Sequence, residues 1–146
     1  MNAQTWIDRL GLQPHPEGGW YKETYRSAFQ VTPQGEATTT AAVTSIHYLL
    51  QDEEFSALHR LAYPEIWYYH EGTAALDIVE EDAAGKRRVR RLGKGEGEEL
   101  SLVVEPGVWF GAEVVGRRGY ALVSCAVAPG FRFEVFEMKN TGYSNP

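Results

Sequence analysis

A histidine and a glutamate six positions apart, His59 and Glu65, carry the clearest chemical content of this chain. Residues 55–63 alternate as a strand that puts Ala57, His59, Leu61 and Tyr63 on one face. Pro64 interrupts it, and residues 65–70 form a second strand that groups Glu65, Trp67 and Tyr69. A histidine beside a carboxylate among aromatic rings is a general acid or base. The carboxylate orients the imidazole and stabilises its charged form. The same two residues also read as a buried polar pair with no chemistry to perform.

Glu23 is a second candidate. Alternation over residues 20–27 places it between Tyr21 and Tyr25 on one strand face, where it can accept hydrogen bonds from ligand hydroxyls or an amine. The structural alternative is a rim ion pair with Lys22, Arg26 or a strand neighbour. His15 is held between two prolines in a loop, His47 falls opposite Ile46 and Tyr48, and His70 precedes a turn. Each reads as a surface or satisfied histidine. Cys125 lies in an apolar strand and reads as an inert buried thiol. Ser124 lacks the glycines of a nucleophile elbow.

The elements that must position these groups are mostly strands. Residues 3–11 form a short helix with Trp6, Ile7 and Leu10 on one face and Gly11 as its left-handed cap. About nine or ten short strands follow at intervals near ten residues, as in a sandwich or barrel. Residues 81–86 turn a hairpin, and residues 131–138 read as strand or short helix. There is no GxGxxG, phosphate loop or βαβ alternation.

At 146 residues the chain is expected to be a single domain, 1–146. Its net charge of −6 argues against a general nucleic-acid or anionic-membrane surface. The basic run KRRVRR at residues 86–91 alternates along a hairpin strand beside many acidic residues, which predicts cross-strand ion pairs on a solvated edge. No apolar run is long enough for a membrane helix, and no signal-peptide pattern opens the chain. One cysteine excludes an intrachain disulfide framework and fits a cytoplasmic location.

The segment HRLAYPE, then six residues and Gly72, resembles the first motif of the cupin superfamily, H-x-H-x(3,4)-E-x(6)-G. VEPGVWF aligns on the second motif, P-x-G-x-x-H. The strings PHPEGGWYKETYRS, SIHYLL, FSALHRL, EIWYYHEG, VVEPGVWFGA and ALVSCAVAPGFRFEVFEM resemble one branch, the DUF985 or cupin-5 family, over nearly the whole chain. The resemblance implies an all-β fold, a double-stranded β-helix (cupin jelly-roll) barrel with a short N-terminal helix, commonly paired as a homodimer. In metal-binding cupins two histidines and a glutamate of the first motif and a histidine of the second surround a divalent ion. Here His59 and Glu65 match, but Leu61 and Phe110 stand at the other two positions and have no lone pair to offer. His59 and Glu65 are thus weak metal candidates, and no cofactor is expected. Trp109 and Phe110 follow the second-motif turn and are expected to close one end of a cavity, Phe110 equally as plain core.

The arrangement is also similar to metal-free epimerases of the superfamily, where a histidine base and a tyrosine acid act on opposite faces of a sugar. Tyr25, Tyr63 and Tyr69 are the candidates for that acid. The expected function is binding of a small metabolite in an aromatic pocket lined by Glu23, Tyr25, Tyr63, Trp67, Tyr69 and Trp109. Metal-independent isomerisation would use His59 with Glu65. A non-catalytic binding protein and a metal-dependent cupin enzyme are the alternatives.

Overall fold

The computed structural model describes residues 1–139, so the last residues of the expected domain lie outside it. The helix α1 (Ala3–Leu10) opens on Asn2, whose side chain accepts from the Thr5 amide, and ends at Gly11 in the left-handed region, φ 66°. It buries Ala3 and Ile7 against Leu49, Tyr120 and Leu122. Ile7 alone contributes about 2 kcal/mol by leaving water.

Thirteen strands follow among the described residues: β1 (Gln13–Pro14), β2 (Trp20–Arg26), β3 (Gln30–Val31), β4 (Thr40–Ala41), β5 (Thr44–Gln51), β6 (Phe55–Leu61), β7 (Glu65–Gly72), β8 (Leu76–Glu81), β9 (Arg87–Leu92), β10 (Ser101–Val104), β11 (Trp109–Val114), β12 (Tyr120–Val127) and β13 (Phe136–Met138). Residues 131–138 are both things the sequence suggested, a 3₁₀ turn at Phe133–Val135 and then β13. No helix among the described residues is long and apolar enough to cross a membrane.

The strands form two main antiparallel sheets, β1-β2-β5-β12-β7-β10 and β13-β6-β11-β8-β9, with β3 and β4 paired apart. Their inner faces enclose one core, in which Tyr48, Leu50, Trp67, Tyr69 and Val123 of the first sheet meet Leu76, Ile78, Phe110, Ala112 and Val114 of the second. This is the jelly-roll barrel expected. The chain crosses from one sheet to the other at Tyr63-Pro64, so β6 and β7 are consecutive in sequence but face each other across the barrel. His59 and Glu65 therefore lie on opposed sheets rather than on neighbouring strands of one sheet.

The basic run lies on β9, an edge of the second sheet, and is ion-paired along its length. Arg87 meets Glu81, Arg88 meets Glu80, Arg90 meets Glu99 and Arg91 meets Asp77. The cross-strand register, Glu81↔Arg87, Glu80↔Arg88 and Asp77↔Arg91, sets three of these contacts, while Arg90 reaches Glu99 beyond the strand pair.

Two bulges shape the site. Opposite β5, β2 shifts register between Glu23 and Tyr25, with Glu23↔Ile46 followed by Tyr25↔Ser45, which makes Thr24 the extra residue. Opposite β11, β6 carries Ala57 and Leu58 where β11 has only Gly111, between the pairs Phe110↔His59 and Ala112↔Ser56.

Candidate functional site

A cavity of about 220 Å³ opens between the sheets at the end where β2, β5, β6, β7 and β12 meet the segment after Gly130. That volume is the share of about seven liquid waters, room for a small metabolite. Its walls are Ile46, Leu61, Val127, Phe131, Phe133 and Phe136, with Tyr21 beside His15. Its polar groups are His15, Glu17, His59 and Glu65 within, and Glu23 and Arg26 among the lining residues that remain half-exposed.

His59 is 3% exposed. Its Nδ1 lies 2.7 Å from the Ala57 carbonyl oxygen, a bond the β6 bulge makes available by leaving Ala57 outside the ladder. A carbonyl only accepts, so Nδ1 carries the proton and Nε2 keeps its lone pair. Burial lowers the His59 pKa to about 4, against the smaller favourable effect of that carbonyl, so the ring is neutral at neutral pH. Phe110, directly across the strand pair, packs against it with the rings tilted by 50° and their centres 4.2 Å apart.

Glu65 opens β7 on the facing sheet. The Trp67 indole N–H donates to one of its oxygens at 2.9 Å. Burial outweighs that bond and raises its pKa to about 7, which leaves the carboxyl poised between acid and base. Among the described residues no hydrogen bond or ion pair joins His59 to Glu65. The carboxylate nearest the imidazole is instead Glu17, whose Oε2 stands 3.5 Å from His59 Nδ1.

Glu17 was not singled out from the sequence. It enters the cavity because Pro16 and the Gly18-Gly19 pair fold the chain sharply inward. Gly18 has φ 113°, and a Cβ there would sit 1.9 Å from the Phe55 carbonyl oxygen, so only glycine fits. The Tyr48 hydroxyl donates to the Gly18 carbonyl at 2.5 Å, and the Ala57 amide to the Glu17 carbonyl at 2.9 Å. The Glu17 side chain is 10% exposed and its Oε2 has no hydrogen-bond partner. Burial first, then the nearby Glu65 charge, push its pKa well up, against the opposing effect of Ser56.

His15 also belongs to the cavity, against the sequence reading of a surface or satisfied loop residue. Its Nδ1 accepts from the Glu17 amide at 3.1 Å, which places its proton on Nε2, 3.7 Å from Glu17 Oε1. Burial lowers its pKa to about 4. The two histidines are thus neutral and of opposite tautomer, each fixed by backbone.

Of the predicted lining residues, Glu23 is in place and pairs with Arg26 at 2.7 Å. Tyr25 is not. The bulge at Thr24 reverses the alternation, turning Tyr25 outward to 56% exposure and bringing Arg26 to the cavity instead. Tyr63 is buried beside the cavity but bonds Glu36. Trp67 and Tyr69 are core, Trp67 serving Glu65 and Tyr69 donating to the Ala74 carbonyl. Trp109 lies away from the cavity, under Arg60 at 4.6 Å. Cys125 is buried as expected but lines the wall. The tyrosine that lines the cavity is Tyr21, whose hydroxyl makes no hydrogen bond among the described residues.

The metal positions of the cupin motif are occupied here by His59, Leu61, Glu65 and Phe110. Leu61 is an apolar wall and Phe110 a packing partner. No three His, Cys, Asp or Glu groups among the described residues converge as a metal site, and His47 and His70 lie together 6.2 Å apart, outside the cavity lining. This donor set does not suit a resident divalent ion.

A jelly-roll barrel with a small inner cavity of histidines and carboxyls defines a cupin. Residues 4–139 match the Cupin superfamily (DUF985) family, and the chain belongs to it. It is similar to a hypothetical protein from Leishmania major, with 36% identity over 95% of this chain and 88% of that one, TM-score 0.86. A protein from Shewanella oneidensis is 35% identical over 95% of this chain and 85% of its own, TM-score 0.84. Oxalate decarboxylase from Bacillus subtilis shares the fold alone, at 17% identity over 86% of this chain and 29% of that one, TM-score 0.59. No curated protein matches the chain.

Proposed function

We propose that the chain binds a small organic molecule in this cavity and transfers a proton to and from it without a metal. Glu65 is the acid and His59 the base. The observation that carries this reading is the placement of the two groups on opposed sheets across one small cavity, each held in the form its role requires. The Glu65 carboxyl keeps a proton up to about neutral pH, with one oxygen anchored by Trp67. His59 holds its proton on Nδ1, so Nε2 is free to accept. A ligand between them loses a proton to Nε2 on one side and gains one from Glu65 on the other. Its composition is unchanged, as in an isomerisation or epimerisation, and the two groups then re-equilibrate with solvent. A base as weak as His59 removes only activated protons, such as those beside a carbonyl.

The test is solvent-deuterium incorporation, followed by NMR, across a panel of small hydroxy- and amino-carbonyl compounds. We expect exchange at one carbon in at least one of them, lost in His59→Gln and Glu65→Gln proteins that keep their circular dichroism. A compound that binds saturably but never exchanges would establish the non-catalytic binding reading instead. Apolar walls favour that second reading, because they supply affinity without chemistry.

A further inference from the structure

The interior of the cavity is rich in acceptors and poor in donors. Glu17 Oε2 has no partner, one Glu65 oxygen lies outside the Trp67 bond, and His59 Nε2 bears a lone pair. The donors near them are His15 Nε2–H, at 3.7 Å from Glu17, and the hydroxyl of Tyr21 on the wall. The contrast with the other two buried glutamates is sharp. Glu80 is paired with Arg88, and Glu81 with Arg87 and Lys139. Glu17 and Glu65 have no Lys or Arg partner among the described residues, although Arg26 lines the same cavity. Arg26 is held away by Glu23 and by the Phe131 carbonyl.

From this geometry we infer that the ligand is a small amine, bound as its ammonium against Glu17, with Glu65 accepting through the oxygen that Trp67 leaves and the carbon skeleton against Phe131, Phe133 and Phe136. An ammonium brings donors to match these acceptors, and its charge is the counterion Glu17 lacks. It also suits phenyl faces, toward which cations are drawn. A metal ion needs several donors converging at about 2.0–2.2 Å, which the described residues do not provide. An ammonium tolerates N–H···O distances of about 2.7–3.2 Å and asks for no fixed coordination number. Burial pushes the Glu17 pKa well up, and an ammonium beside it offsets that cost by favouring the ionised carboxylate. The inference rests on the proton-transfer reading only in placing the ligand in the same cavity.

The experiment is calorimetric titration of the untagged full chain at pH 8 with butylamine, butanol and butyrate, which are close in size and differ in charge. We expect butylamine to bind about tenfold or more tighter than butanol, and butyrate weakest. Glu17→Gln should bring the amine close to the alcohol, and Glu65→Gln should weaken the amine less, with the alcohol unchanged in both. If either variant fails to fold, wild-type side-chain ¹⁵N spectra replace it: butylamine, and not butanol, should shift the His15 and His59 nitrogens. Butanol binding as tightly as butylamine, or an amine preference that survives both substitutions, would overturn the inference. So would stoichiometric Zn²⁺ or Mn²⁺ binding that excludes the amine. If butanol binds best while deuterium exchange persists, the amine assignment fails and the proton-transfer reading survives. If amines bind as expected but no compound exchanges, the reverse holds.

Discussion

His59 Nδ1 stands 3.5 Å from the Glu17 carboxyl, yet its hydrogen bond runs to the Ala57 carbonyl, 2.7 Å away. Backbone rather than carboxylate therefore sets the tautomer. Long-range ¹H–¹⁵N spectra at pH 7 should show His59 protonated at Nδ1 and His15 at Nε2. Glu17→Gln should leave the His59 tautomer as it is. A switch of His59 to the Nε2–H form in that variant would show that Glu17 controls the ring after all.

Stability should fall as pH rises above about 6.5. Glu65 has a folded pKa of about 7, raised from 4.5, so it stabilises fully at low pH and loses that contribution as pH climbs through 7. The histidines act in the opposite sense, because their folded values near 4 are depressed from 6.5. Their contribution is complete above 6.5 and is lost as pH falls toward 4. The effects oppose one another below 6.5, and above it the carboxyls act alone. Urea unfolding should show a loss of about 1 kcal/mol from Glu65 between pH 6.5 and 8.5. Glu65→Gln should flatten the profile, and an unchanged slope in that variant would remove Glu65 as its source.

Tyr25 and Thr24 separate surface from site. Tyr25→Ser should change stability by no more than about 0.5 kcal/mol and leave ligand binding intact. Deleting Thr24 removes the bulge but leaves the pairs Glu23↔Ile46, Tyr25↔Ser45 and Arg26↔Thr44 as a regular ladder, so Tyr25 should stay outward and Arg26 at the cavity. We expect the deletion variant to stay folded, as judged by circular dichroism, with ligand affinity kept, and a large loss of affinity would show that the bulge itself shapes the cavity.

Gly18→Ala tests the entry of Glu17. The added Cβ collides with the Phe55 backbone, so the turn must open. A loss of about 2 kcal/mol or more is expected, measured by thermal unfolding, together with loss of ligand binding. Normal binding would mean that Glu17 is dispensable.

The barrel was legible because its signals are local. Strand rhythm, the 81–86 hairpin and the Gly11 cap each follow from neighbouring residues, and β12 spans the run expected from its apolar residues. His59, Glu65 and Glu23 were found because their types and alternation are visible in the chain. Tyr25 was misplaced because one bulged residue inverts strand parity, and nothing in WYKETYR marks Thr24 as that residue. Trp109 was misplaced because its side chain lies under Arg60, on the face of β11 opposite the core residue Phe110. His15 and Glu17 were missed for a different reason. They are loop residues carried inward by a contact with β6, which is 40 residues further along in the hydrogen bond from Ala57 to Glu17. Separations of that kind have no short-range signature.

The N-terminal helix has a role that its distance from the cavity conceals. Its buried face rests on Leu49, Tyr120 and Leu122, and the chain leaving it passes through Leu12 and β1 directly to His15 and Glu17. The segment carrying His15 and Glu17 into the cavity is therefore tethered to the helix. Undocking α1 slackens that tether, so hydrogen-exchange protection of the helix amides should rise when the cavity is filled, although no helix residue lines it.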